Sequence, residues 1–271
     1  MELNLKGKVA LVTGGGQGVG RAICKELAAE GVKVIVNDLF PERAEAVARE
    51  IRDAGGEAVA SPGDITKAEK VAALVAKGRE AFGPIGILVN NAGVTPDRRA
   101  KGGMPPTFIE TPDSEMHQTV ELNVYGTMYC CRAVLPDMVS QRWGRVISIA
   151  SEAGRIGEAR LAAYSGAKAA IIGLTKALAK EHGRDRITAN VVVLGAVSHE
   201  GIAPGQATSA DATPENNERL AKMLNSYPSA KGLGRLSRPE DVSGIVTFLA
   251  SDRAAFVTGQ HVGASGGYAM P

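Results

Sequence analysis

Short, mainly apolar runs recur along the chain, separated by longer stretches of helical character. The runs are Val9-Ala10-Leu11-Val12, Val32 to Asn37, Ala58-Val59-Ala60, Ile87-Leu88-Val89, Val146-Ile147-Ser148-Ile149 and Thr188 to Leu194. None alternates apolar with polar, so each predicts a strand with helices covering both of its faces. Arg21 to Glu30 reads as a helix ended by Gly31, and an Ala/Glu/Arg-rich helix opens at Pro41. This βαβα rhythm predicts an α/β protein. Its frame is a Rossmann-like, doubly wound parallel sheet of about seven strands with right-handed crossovers.

Two stretches interrupt the rhythm. Val94 to Asp113 carries Pro96, Pro105, Pro106 and Pro112 with the pair Gly102-Gly103, and His199 to Pro228 is rich in Gly, Ala, Thr, Asn and Pro. Both follow strands, so both leave the sheet at its carboxyl edge, where open α/β sheets bind ligands. They predict substrate loops at about 94–113 and 196–228 within a single domain spanning 1–271. Long loops at that edge are commonly lids.

Composition then narrows the function. Hydrophobic residues make up 44% of the 271 and charged residues 22%, enough for a large core. The net charge of +2, without a dense basic block, gives no reason to expect nucleic acid or an anionic membrane as partner. Cys24, Cys130 and Cys131 form no ligand pattern, and the four histidines are scattered, so no catalytic metal is expected. The N-terminus runs straight into a strand without the apolar segment of a signal peptide. No run of about 18 apolar residues occurs either, so a cytoplasmic protein is expected.

Thr13-Gly14-Gly15-Gly16-Gln17-Gly18-Val19-Gly20 lies between the first strand and the first helix. Glycines there permit a tight turn and let backbone N–H groups approach a pyrophosphate, which the helix N-terminus favours electrostatically. Asp38 follows at the end of the second strand. Its carboxylate can accept both hydroxyls of an adenosine ribose and would repel a 2′-phosphate, which favours NAD over NADP. The alternative for Asp38 is a turn or capping residue.

Further on, Tyr164-Ser165-Gly166-Ala167-Lys168 opens a helix, so the phenol and the ammonium share one face. A phenol titrates near 10 and needs a neighbouring cation to act as a base at neutral pH. By itself, Tyr-x-x-x-Lys says no more.

Together with other segments it resembles the short-chain dehydrogenase/reductase family, from Lys8 to Gly267. The matching motifs are Thr13-Gly14-x-x-x-Gly18-x-Gly20 and Asn90-Asn91-Ala92-Gly93. Next come Asn123 within Leu122-Asn123-Val124-Tyr125-Gly126, and Ser151 thirteen residues before Tyr164. The last are Gly234 to Val242 and Phe248-Leu249-Ala250-Ser251. The resemblance implies a catalytic set of Asn123, Ser151, Tyr164 and Lys168. Tyr164 would be the acid/base, and Ser151 would polarise the substrate oxygen. Lys168 would hold the nicotinamide ribose and depress the Tyr164 pKa, while Asn123 would anchor a relay water. It further implies cofactor contacts from Gly14, Gln17, Gly18, Val19, Gly20, Asp38, Asp64, Ile65, Asn91, Ala92, Gly93, Tyr164, Lys168 and Val197. Asp64 has a second reading as a helix N-cap.

The pattern departs from the family after the sixth strand. Members usually carry Pro-Gly there, with a Thr four residues beyond the Gly that contacts the nicotinamide amide, so the resemblance implies that this segment borders the nicotinamide end of the cofactor. Here the segment is Leu194-Gly195-Ala196-Val197-Ser198-His199, so Leu replaces Pro and His199 stands in the Thr position. Met104, Phe108, Ile109, Ile156, Leu161, Met223, Leu224 and Tyr227 suggest an apolar cavity or its lid packing. Arg98, Arg99 and Lys101 would meet a phosphorylated or CoA-bearing substrate, or only solvent. The leading expectation is an NAD-dependent dehydrogenase for a secondary alcohol or ketone, cyclic, steroid-like or hydroxyacyl. The alternatives are a 3-oxoacyl-acyl-carrier-protein reductase, whose kind usually takes NADPH, and a non-catalytic cofactor-binding protein. Relatives pair two long helices, here about 113–140 and 161–183, so a homotetramer or homodimer is expected.

Overall fold

The structure is a computed structural model that describes residues 2–95, 105–197 and 225–270. Its frame is one sheet of seven strands. They are β1 (Val9–Val12), β2 (Lys33–Val36), β3 (Ala58–Ala60), β4 (Ile87–Asn90), β5 (Gly144–Ser151), β6 (Ile187–Leu194) and β7 (His261–Ala264). The order is β3-β2-β1-β4-β5-β6-β7, and every pairing is parallel. Strand order reverses between β1 and β4, which opens a crevice outside their carboxyl ends.

The apolar runs do not alternate because both faces of the sheet are covered. Ala10, Val12, Val34 and Val36 pack under Ile23 and Leu27 of α1 (Gly18–Ala29), Val47 and Ile51 of α2 (Pro41–Asp53), and the last long helix, Pro239–Ala250. Leu11, Ile35, Leu88 and Val146 face the other way. They meet Leu74 and Val75 of α3 (Ala68–Phe82) and Val134 and Met138 of a helix spanning Gly126–Gln141. Each fully buried Leu or Ile contributes about 1.5–3 kcal/mol over exposure, so the two apolar layers fix the strand register.

Four helices surround the candidate site. Asp113–Val120 (α4) runs through a single wide π turn, Glu121–Tyr125, into Gly126–Gln141 (α5). A short helix, α6 (Ala153–Ile156), follows β5 and leads into α7 (Ala162–His182). The two long helical regions expected at 113–140 and 161–183 are thus present. Pro228–Leu233 (α8) and Pro239–Ala250 (α9) complete the set. β1 to β6 match the sequence reading with ends shifted by a residue or two, β5 gains Gly144, Arg145, Ala150 and Ser151, and β7 is a strand that the apolar runs did not mark. The whole length of β5 pairs with β6, from Gly144 opposite Ile187 to Ser151 opposite Leu194. Of the expected substrate loops, 96–104 and 198–224 lie outside the described residues, and with them Arg98, Arg99, Lys101, Met104, Ser198, His199, Met223 and Leu224.

Candidate active site

The loop from Gly14 to Gly18 is shaped by close approach. Gly14 and Gly18 have φ of +61° and +52°, a region that favours glycine. A side chain on Gly20 would sit 2.1 Å from the Gly14 carbonyl oxygen, so the helix can start tight against its own loop only with glycine there. Gln17 is the N-cap of α1 and Val19 packs into the core. Asn91 latches this loop to the edge of β4, its Nδ2 donating to the carbonyls of Thr13 and Gly14 at 3.0 Å each. Thr13 Oγ1 accepts from the backbone N–H groups of Asn91 and Ala92. Asn91 and Ala92 therefore brace the loop from the neighbouring strand.

Asp38 is buried beside that loop. One carboxylate oxygen accepts from Gly16 N–H and the other from Phe40 N–H, both at 3.1 Å. Each oxygen keeps lone-pair capacity for a ribose hydroxyl. Arg43, in the first turn of α2, comes to the same place, and its guanidinium lies 4.2 Å from the centre of the Phe40 ring. Asp64 does not cap α3, whose N-cap is Lys67. It accepts from Thr66 N–H at 2.9 Å in a turn just ahead of the helix. Ile65 is buried against Gly126 at the start of α5.

The four expected catalytic residues come from three elements. Asn123 sits in the π turn, where Nδ2 donates to Thr119 O at 3.0 Å and its own carbonyl accepts from Thr127 Oγ1. Such wide turns recur at functional positions because they displace one side chain from the helical register. Asn123 Oδ1 is buried and has no hydrogen-bond partner among the described residues. Lys168 is fully buried on α7 and donates to Ile149 O at 2.9 Å. Burial disfavours the ammonium and pulls its pKa down to about 8. Its Nζ lies 5.7 Å from the Tyr164 ring centre. Gly93 separates Lys168 from Asn123. A methyl there would stand 2.7 Å from Lys168 Nζ and 2.9 Å from Asn123 Oδ1, so its absence leaves room for both groups. Ser151 ends β5, its Oγ accepting from Ala153 N–H at 3.2 Å.

Two residues that sequence reasoning passed over assist the set. Ile149 offers the carbonyl that holds Lys168. Gly154 lets α6 lie directly on α7, since a side chain there would meet the Lys168 backbone at 2.7 Å. The latter left a faint signal, a glycine just beyond the candidate serine. Val197 forms an isolated parallel bridge with Ser237. Tyr227, expected at the cavity or in its lid packing, packs against Gly195. Among the described rim residues, Phe108, Ile109 and Ile156 are exposed, and Arg160 donates to Pro105 O at 2.9 Å, joining the two sides.

Residues 8–207 match the short chain dehydrogenase family. The chain belongs to that family. Related proteins align along nearly the whole length. A 3-oxoacyl-(acyl-carrier-protein) reductase of Synechocystis is 37% identical over 270 residues, 98% of each chain. A protein of the same name from Staphylococcus aureus is 34% identical over 264 residues, covering 97% of this chain and 98% of that one. An uncharacterized oxidoreductase of Thermotoga maritima is 34% identical over 266 residues, 98% of each. The protein is therefore an oxidoreductase of a family that binds nicotinamide cofactors. Among its described residues no helix is long and apolar enough to cross a membrane.

Proposed function

We propose that the protein interconverts a secondary alcohol and a ketone with NAD(H). Asn123, Ser151, Tyr164 and Lys168 would form the catalytic set. The observation that carries the reading is the convergence of Lys168 and Asn123 on either side of Gly93, with Tyr164 one helical turn before Lys168 on the same helix.

The residues present fit a dinucleotide. Glycine at 14, 16 and 20 lets the loop lie tight against Asn91, Asp38 and its own carbonyl at the N-terminus of α1, the end of a helix that favours a pyrophosphate, and Asp38 stands where an adenosine ribose would lie. When bound, the cofactor supplies or accepts the hydride. The chain's own groups handle the proton and the geometry. In reduction, the Tyr164 hydroxyl gives its proton to the carbonyl oxygen, and in oxidation the phenolate takes it back. The Ser151 hydroxyl donates to the same oxygen and holds it beside Tyr164. The Lys168 ammonium favours the phenolate through proximity of charge. Asn123 Oδ1 offers a buried acceptor for the water that carries a proton onward from Lys168.

Asp38 supports NAD, since its carboxylate would repel a 2′-phosphate. Titration with NADH and NADPH should show tighter binding of NADH, and the reverse order would overturn the assignment. The substrate has a second reading. The relatives named 3-oxoacyl-(acyl-carrier-protein) reductases favour a 3-oxoacyl thioester as the ketone. A screen of cofactor oxidation and reduction over secondary alcohols, cyclic ketones and acetoacetyl thioesters separates the two. The stripe Tyr125, Met128, Arg132, Leu135, Pro136 and Val139 along α4–α5 lies at the surface at helical spacing, which supports assembly into a homodimer or homotetramer.

A further inference from the structure

The segment leaving β6 has lost the proline usual at position 194, yet the structure holds it firmly by other means. Leu194 O still accepts from Glu152 N–H at 2.9 Å, next to Ser151. Beyond it, Gly195 has no side chain to anchor it and Ala196 N–H has left the sheet ladder. A tyrosine 31 residues further on meets both needs. The Tyr227 hydroxyl accepts from Ala196 N–H at 3.0 Å. Its ring lies so close over Gly195 that a methyl there would stand 2.6 Å from Tyr227 Cε1. Ring and hydroxyl together fix two consecutive residues that would otherwise turn freely.

Tyr227 is itself fixed. Its ring stacks on Tyr268, with centroids 4.6 Å apart and planes 25° from parallel. Tyr268 OH donates to Glu158 Oε1 at 3.2 Å. Glu158 N–H in turn donates to Ser165 Oγ at 3.2 Å, and Ser165 is the neighbour of Tyr164. A continuous line of contacts thus joins the segment after β6 to the first turn of the catalytic helix. Burial pushes the phenols of both tyrosines up, aided by the nearby Glu158 carboxylate, so both stay protonated at working pH.

We propose that Tyr227 is a positioning residue for the nicotinamide half of the cofactor site, serving through Ala196 and Gly195 the purpose a proline ring would serve at position 194. The assignment rests on the cofactor reading above. It predicts a selective defect. Tyr227→Phe removes the hydroxyl and keeps the stack, so affinity for the intact dinucleotide should fall about fivefold, the worth of one hydrogen bond. Affinity for ADP-ribose, or its 2′-phosphate where the phosphorylated cofactor binds, should stay within a factor of two. In turnover, KM for the cofactor should rise more than kcat falls. Tyr268→Leu, which removes the stack but leaves the hydroxyl, should give the same selective pattern in milder form. Equal weakening of both ligands by Tyr227→Phe marks a general structural part and overturns the proposal, as does unchanged affinity for the dinucleotide. If the wild-type protein bound neither ligand, the cofactor reading itself would fall and take this assignment with it.

Discussion

Tyr164 and Lys168 differ in how far their surroundings explain them. Lys168 is buried with no carboxylate partner among the described residues, its ammonium donating to the Ile149 carbonyl, and burial draws its pKa down to about 8. In the unfolded chain it titrates near 10.4. Between those values the unfolded state binds more protons, so this residue's contribution to stability rises with pH from about 8 to 10.5 and is least favourable below 8. Urea unfolding of wild type and Lys168→Met across that window should show the wild type gaining on the variant. The gain is at most about 1.4 kcal/mol per pH unit. A flat difference would mean that the ammonium is not desolvated in the fold. Tyr164→Phe, which keeps the ring and removes the acid, should cut turnover by about 10²–10⁴-fold and leave dinucleotide affinity nearly intact. Near-normal turnover would remove Tyr164 from proton transfer.

At the scale of elements, the site depends on where helices and loops come closer than a side chain allows. Gly20 and Gly93 both stand at such points but against different neighbours. A methyl on Gly20 would meet the backbone carbonyl of Gly14 at 2.1 Å, and the loop must open to admit it. Gly20→Ala should therefore cost about 1–3 kcal/mol of stability and abolish measurable dinucleotide binding. A methyl on Gly93 meets Lys168 Nζ, the movable end of a long chain, and Asn123 Oδ1. Gly93→Ala should keep the melting temperature within a few degrees and lose most activity. Thermal melts paired with cofactor titration check both, and equal melting temperatures for the two variants would refute the distinction. The π turn at Glu121–Tyr125 belongs to the same scale. It turns Asn123 into the site from the junction of α4 and α5.

Across the whole molecule, the three thiols illustrate how completely the helices cover the sheet. Cys24 belongs to α1, and Cys130 and Cys131 to α5, all three buried on the faces turned to the core. Burial pushes each thiol up, Cys131 to about 12, which leaves almost no thiolate at neutral pH. A thiol reagent should label none of them in the native protein and all three after denaturation. Rapid labelling of any one in the native protein would show that its helix opens. The exposed stripe on α4–α5 carries the complementary expectation. Val139→Asp with Met128→Asp should shift native mass spectra toward smaller assemblies while leaving the fold intact. Unchanged assembly would place the interface elsewhere.

The apolar rhythm of the chain was sufficient for six of the seven parallel strands, because a run such as Val9 to Val12 is stable only with helices on both sides; β7 (His261–Ala264), half-buried at the sheet edge, carries no such run. Local spacing likewise placed the glycine loop at a strand-to-helix turn and set Tyr164 and Lys168 on one helix face. Contacts between residues far apart in sequence had no such local signature. Arg43 beside Asp38, the Ile149 carbonyl on Lys168, Gly93 between Lys168 and Asn123, and Tyr227 over Gly195 exist only once the sheet has brought its carboxyl edges together. Asp64 shows the limit from the other side: its sequence context allowed a helix cap, and the helix began four residues later, at Ala68. Periodicity is a property of neighbours along the chain and is legible there. The precise fit of a site is a property of neighbours in space, decided by how the layers close.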